Sequence, residues 1–360
     1  MKQLKKIAEK RDALLPDYAD VIASTGKARA DMVEHLDAYL TQAEETLKGK
    51  GTIVYHAEDA EKACEIISGL CAGQQKLVRF YNPELEEIGF DALMQKENKN
   101  AALTDVGEIV VKQAGRTGYK HPQLANLEGM SQEDIIKALQ DYAGQETDNP
   151  FKLNKAVQQK IRQAVLTSDY GVTNVQAIVA ASGTIIIGES EGNGRTVSNM
   201  PYRHIVVAGY DRLYDTAEHA LRGIQTASIY GLGKQNPAYY SLISGQSRTA
   251  DIEYQMAFGV HGPLEVHLIL LDNGRRKLIE KGCGNLLKCL DCGACYSSLK
   301  ALAEQNNWPD TLLTAKQVGL GAVNGKLTVE NGLDALTDFV CPVGITADDV
   351  KQAFAGKNFK

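Results

Sequence analysis

RHIVVAG at residues 203–209 and EVHLILLD at 265–272 are β-branched, apolar almost without interruption, and bounded by glycine. Unbroken apolar runs of this length belong to strands covered on both faces, the situation of a parallel sheet with helices on either side. VQAIVA at 175–180 and GTIIIGE at 183–189 have the same texture, and TAEHALRGIQTASI at 216–229 reads as a crossover helix between them and the later strand. These stretches predict an α/β fold: an open mixed or largely parallel sheet flanked by helices.

Working outward, GTIVYH, EDAEKACEIISGL and KLVRFY (residues 51–81) alternate strand, helix and strand. Residues 1–50 instead carry helical spacing, with Ile22, Met32, Val33, Leu36, Leu40 and Leu47 at steps of three and four; two helices broken near Pro16 are expected. Ser131, followed by Glu133 and Asp134, opens another helix, which Gly144 should stop. The predicted division is 1–50 helical, 51–280 α/β, and 281–360 a small Cys-rich segment.

The chain has 360 residues, 44% hydrophobic and 23% charged, with net charge -6 and no basic run, which removes the electrostatic footprint of nucleic-acid binding. The charged N-terminus MKQLKKIAEK does not read as a secretory signal, and no apolar stretch approaches the ~20 residues that cross a bilayer. A cytoplasmic protein without membrane insertion is expected.

Of seven cysteines, Cys64 and Cys71 sit in an amphipathic helix and read as small buried hydrophobes. Cys289, Cys292 and Cys295 form a C-x2-C-x2-C run, and Cys341 precedes Pro342 far downstream. In a two-cluster ferredoxin the last Cys of each run ligates the other cluster. Here Leu299 stands at the first run's fourth position, and Asp334 and Thr337 at positions of the second run, so one ligand set survives and the other is lost. Cys289, Cys292, Cys295 and Cys341 are therefore the candidate cofactor and metal ligands, for one [4Fe-4S] cluster. A four-thiolate zinc site is the alternative. Cys283 is surplus, a neighbour of the set or a spare ligand.

Three further features bear on chemistry. EGNGR offers Gly192 and Gly194 as an anion nest with Arg195 beside it. SGQSRTADIE and the turn at His261 place Arg248 and a proton carrier where a cleft at strand ends would lie, so Arg195, Arg248 and His261 are expected to converge. Glu189 or Glu191 could serve as a carboxylate nucleophile. IYGLGKQN lacks the third glycine of a dinucleotide fingerprint, Asn236 standing there. His267, alone in an apolar strand, reads as a hydrogen-bonded core residue.

SGTIIIGESEGNGR, MPYRHIVVAG, SGQSRTADIE, GVHGPLEVHLILLDNGR and CLDCGAC together resemble the LUD-domain family, most of all its iron-sulfur members serving lactate utilisation. LTDVGEIVVKQ (103–113) is similar to the family's T-D-x-G-E segment through Thr104, Asp105, Gly107 and Glu108. The resemblance implies a fold like the sugar-phosphate isomerase and CoA-transferase superfamily. It also implies a role as one subunit of a redox complex oxidising L-lactate, or another small organic acid, with electrons passing through the cluster. The chain departs from the family in carrying one cluster motif set and VRFYNPE where a Lys-Ser-Lys-Ser segment is usual. The expected role is thus an electron-transfer subunit rather than a self-sufficient enzyme. The alternatives are a CoA-transferase-like enzyme using the loop glutamate, and a non-enzymatic redox-responsive protein.

Overall fold

The computed structural model describes residues 2–73, 76–81, 83–125, 127, 129–147, 149–252, 255–336 and 338–355. Thr337 lies outside these, as does the side chain of Asp251. Twelve strands occur among the described residues: β1 Thr52–Ala57, β2 Leu77–Arg79, β3 Ala101–Leu103, β4 Tyr170–Thr173, β5 Ala177–Val179, β6 Thr184–Glu189, β7 Arg203–Gly209, β8 Leu213–Tyr214, β9 Tyr239–Ile243, β10 Arg248–Ile252, β11 Gln255–Phe258 and β12 Glu265–Leu271.

Six strands form the main sheet in the order β1-β12-β7-β4-β2-β3, every neighbour parallel. Side chains alternate across a strand, and the core divides accordingly. Ile205, Val207, Ile269 and Leu271 face Ala63, Ile67, Leu85 and Phe90 of the helices Ala60–Leu70, Pro83–Ile88 and Phe90–Lys96. Val206, Ala208, Leu268 and Leu270 face Met32, Leu36, Leu40, Ala43 and Leu47 of the helices Ala19–Glu34 and Leu36–Gly49. The N-terminal helices therefore cover the β1-β12-β7 part of one side, while Val165 of the helix Pro150–Leu166 and Val197 of the helix Asn193–Asn199 pack with Val78 of β2. Pro16 breaks the N-terminal run, in a 3-10 turn at Leu15–Tyr18, and a second interruption at His35 makes three helices where two were expected.

The two runs at 175–189 do not enter this sheet. They form a second, mixed sheet in the order β8-β5-β6-β9, in which β5 and β6 fold back antiparallel through Gly183. Gly183 has φ +62, and a Cβ there would stand 2.6 Å from the backbone of Thr46, so the turn tolerates only glycine against the helix beneath it. EGNGR also departs from expectation: Asn193–Asn199 is a short helix, not a loop. β10 and β11 make a separate two-stranded ribbon.

Beyond β12 the chain forms Arg275–Glu280, a 3-10 turn Gly284–Lys288, then Tyr296–Gln305, Ala315–Val323 and Ala347–Phe354. These enclose an apolar core of their own, with Leu286, Leu302, Val318, Val350 and Phe354 around Cys289, Cys292 and Cys295. Leu299, where a second cluster would need cysteine, is buried in it. Among the described residues no helix is long and apolar enough to cross a membrane.

Candidate functional site

The C-x2-C-x2-C run wraps tightly because Asp291 (φ 50) and Gly293 (φ 82) both adopt the left-handed conformation. A Cβ on Gly293 would meet the His121 ring at 2.4 Å, and one on Gly231, in the helix Ala217–Leu232, would meet the Cys292 carbonyl oxygen at 2.4 Å. Gly231, read in the sequence as a fragment of a nucleotide fingerprint, is thus the place where a helix backbone approaches the Cys loop.

One thiol accepts a backbone hydrogen bond, and backbone N–H groups near the other three favour their thiolate forms. Asp291 N–H points at Cys289 Sγ at 3.4 Å. Ala294 serves Cys292, Ala315 at the start of its helix serves Cys295, and Val343, Gly344 and Ile345 serve Cys341. Burial pushes Cys289 up to about 12, with Asp291's charge adding to the shift; Cys292, Cys295 and Cys341 are raised as well, first by burial. Cys341 adds to the shift of each of the other three, which puts all four thiols within reach of one another's charge.

Sulfurs gathered in an apolar setting, three buried and one half-buried, suit a group that carries positive charge and binds thiolate, which is the requirement of an iron-sulfur cluster. Among the described residues no three His, Cys, Asp or Glu side chains gather as closely as a single metal ion requires. A cubane takes one thiolate at each corner and does not need that closeness. Cys283 turns elsewhere, its thiol 3.6 Å from the Lys281 carbonyl oxygen.

A buried ion-pair network ties this loop to the carboxyl ends of the main-sheet strands. Arg212, just past β7, donates to Glu84 at 2.8 Å and to Asp291 at 2.6 Å. Lys316 donates to Asp291 and to Asp211, both at 2.7 Å. Arg275, past β12, pairs with Asp211 and clasps Glu87 at 2.8 and 3.0 Å. Burial alone would raise the Asp291 carboxyl; Lys316 and Arg212 overcome it and hold it below the ordinary carboxylate value.

Beside the loop lies a cavity of about 500 Å³. Its walls come from the ends of parallel strands, where open α/β sheets bind ligands: Phe80 and Tyr81 follow β2, Asp105 and Glu108 follow β3, Asn174 follows β4 and Arg212 follows β7. Leu290 and Asp291 of the Cys loop close one side, with His121, whose imidazole burial depresses to about 4.

Of the candidates read from the sequence, Glu191 lines this cavity and Arg195, Arg248 and His261 do not. Arg195 is exposed, its guanidinium 4.9 Å from the centre of the Tyr239 ring. Arg248 is exposed on β10, and His261 is exposed in the turn after β11, its backbone N–H on Ser247 Oγ at 3.1 Å. The anion nest is filled by the protein itself: Glu189 accepts from the N–H groups of Gly194 and Arg195 at 2.6 and 2.7 Å, which is why the segment coils into a helix. That leaves Glu191, raised by burial and by the charges of Asp105 and Glu189. His267 is a hydrogen-bonded core residue, between Tyr55 at 3.2 Å and Glu265 at 3.1 Å. Asn174, Asn193, Tyr81 and Ser228 went unnoticed in the sequence: Tyr81 and Asn174 follow strands, Asn193 starts a helix and Ser228 lies in the helix Ala217–Leu232, and single polar residues at such places carry no mark.

A family model described as LUD domain matches residues 40–271. The curated "Lactate utilization protein B" of Anoxybacillus flavithermus is 28% identical over 271 residues, 75% of this chain and 56% of that protein. The protein of the same name from Bacillus subtilis is 27% identical over 273 residues, 75% and 55%. The chain thus spans a little over half the length of these relatives. A crystal structure of a DUF162 family protein from Deinococcus radiodurans matches with TM-score 0.35 and 15% identity, covering 66% of this chain and 98% of that one.

Proposed function

Because the chain belongs to the LUD domain family, we propose that it is the iron-sulfur electron-transfer subunit of a lactate-utilising complex, with one [4Fe-4S] cluster on Cys289, Cys292, Cys295 and Cys341. The observation that carries this reading is the gathering of three buried thiols and a half-buried fourth, Cys341, within reach of one another's charge. When bound, such a cluster supplies one-electron transfer. The protein's part is to hold the thiolates, exclude water through Leu286, Leu290 and Leu299, and anchor the loop through Asp291. Lactate enters through the names of the relatives, and the two-electron step on that substrate falls to another subunit, since no nicotinamide fingerprint is complete in this sequence. Electron transfer is assigned to residues 281–360 and ligand handling to 51–280.

Anaerobic purification should give about four irons and four sulfides per chain and a low-temperature EPR signal after reduction. Cys341→Ser should damage the cluster and Cys64→Ser should leave it intact. Stoichiometric zinc without sulfide, or about eight irons, overturns the cluster assignment. Lactate-dependent dye reduction by the purified chain alone overturns its standing as a dependent subunit.

A further inference from the structure

The cavity beside the Cys loop contains polar atoms that the protein leaves unused. Asn174 Oδ1, both amide atoms of Asn193, Tyr81 OH and Ser228 Oγ are buried without a hydrogen-bond partner, and all four residues line the cavity. Asn174 and Ser228 are each only 6% exposed. Buried groups of this kind are normally satisfied, because each one left unmade costs roughly 1–3 kcal/mol. Four residues sharing the defect around one space of about 500 Å³ mark a place where a ligand completes the bonds.

The walls also say what kind of ligand fits. Seven carboxylate side chains line the cavity against five Lys and Arg, so it has no surplus positive charge for a phosphate-rich or polyanionic molecule. Four of the seven carboxylates are already engaged: Glu86 on Lys120 at 2.6 Å, Glu108 on Arg79 at 2.7 Å, Asp291 on Arg212 at 2.6 Å, and Glu189 on backbone N–H groups. Beside the charged side chains stand neutral polar groups. A primary amide offers a donor and an acceptor side by side, and Asn193 presents both. Burial, with Glu86 and Glu108, pushes the Tyr81 phenol far up, so it keeps its proton and can donate. Between the polar groups stand Phe80, Val111, Leu124, Ile224 and Leu290.

From this combination we infer that the cavity binds a neutral, flat nitrogen heterocycle whose edge alternates N–H and C=O, a ring of isoalloxazine, pterin or purine type. Asn193 pairs with the donor-acceptor edge, Asn174 Oδ1 accepts from a ring N–H, Tyr81 and Ser228 bond the remaining edge, and the apolar side chains cover the faces. The occupant lies against Leu290 and Asp291, the segment between Cys289 and Cys292. The inference rests on the cavity alone and stands whether or not the thiols hold a cluster.

Calorimetric titration of the full-length chain with riboflavin, 6-hydroxymethylpterin and guanosine distinguishes the three ring types; L-lactate and coenzyme A serve as comparison ligands. At least one ring compound should bind, with Asn193→Ala and Ser228→Ala each weakening it tenfold or more while far-UV circular dichroism and the melting temperature stay unchanged. L-lactate should not displace it. Binding of none of the three, binding indifferent to both substitutions, or occupation of the same site by L-lactate or coenzyme A overturns the assignment. Should one variant melt early, the other gives the reading.

Discussion

In the main sheet, β7 and β12 send Ile205, Val207, Ile269 and Leu271 to one side and Val206, Ala208, Leu268 and Leu270 to the other, and apolar burial alone joins strand to helix. At the ends of the same strands, Arg212, Arg275 and Lys316 meet Glu84, Glu87, Asp211 and Asp291 with almost no exposure, and charge joins the sheet to the Cys segment. An apolar contact tolerates small shifts and sliding. A buried charge pair does not, since a partner displaced by even a little leaves an uncompensated ion. The sheet is therefore built for strength and its junction with the Cys loop for position, and the loop's Asp291 is where that positioning is delivered.

The sharpest way to break this contrast is Asp211→Ala, which strands Lys316 and Arg275 in the interior with one anionic partner fewer each. Stability should fall by about 3–5 kcal/mol in chemical denaturation, the scale of a broken buried pair. A loss under about 1 kcal/mol would mean that the network is solvated and does not fix the loop.

This contrast also marks how much the sequence made legible. Strands such as Arg203–Gly209 and Glu265–Leu271 announce themselves in β-branched runs because burial on two faces is a local demand on every residue in the run. The Ser131 cap and the Gly144 stop were legible for the same reason, and both are seen. The Cys289, Cys292 and Cys295 run stands out in the sequence because its spacing is short, whereas Cys341, far downstream, is marked only by the proline after it. The ion network was not: Arg212 and Glu84 are 128 residues apart, and Lys316 and Asp211 are 105 apart, so nothing near either residue betrays its partner. The runs at 175–189 were read correctly as strands but placed in the wrong sheet, since an apolar run does not say which neighbour it joins. Arg195 does not line the cavity because Glu189 turns the expected loop into a helix by occupying its N–H groups, and Arg248 and His261 lie on the separate β10-β11 ribbon and the turn after it.

A gentler probe is Gly231→Ala. In an ordinary helix interior this change stabilises, by roughly 0.5–1 kcal/mol. Here the new methyl would stand 2.4 Å from the Cys292 carbonyl oxygen, which is backbone and cannot swing aside. The expected result is a loss of about 1–3 kcal/mol, typical of overpacking, together with lower iron content on purification. A neutral or stabilising outcome would show that the Cys loop rests loosely on the helix and that the junction is less exacting than the ion network implies.

The smallest expected effect comes from the sheet, through His204. Its imidazole lies fully buried on β7, bonded through Nε2 to Thr173 at 2.7 Å, and burial, with His267 nearby, depresses it to about 3. The unfolded chain protonates this ring near pH 6.5 and the folded chain does not. Its contribution is therefore complete above pH 6.5 and declines as pH falls toward 3, by roughly 1.4 kcal/mol per unit once well below 6.5, and by about 1 kcal/mol at pH 6. Asp211 and Glu87 in the junction are held below their ordinary values, so they stay charged across the same window and add no slope. Denaturation midpoints at pH 7.5 and pH 6, compared between the native chain and His204→Gln, separate the two regions. The variant should be less stable at pH 7.5 but show a flatter pH dependence, and NMR should find the native His204 ring still neutral at pH 5. An equal slope in both proteins would place the acid sensitivity in His121 and His267, which burial also depresses, instead of in His204.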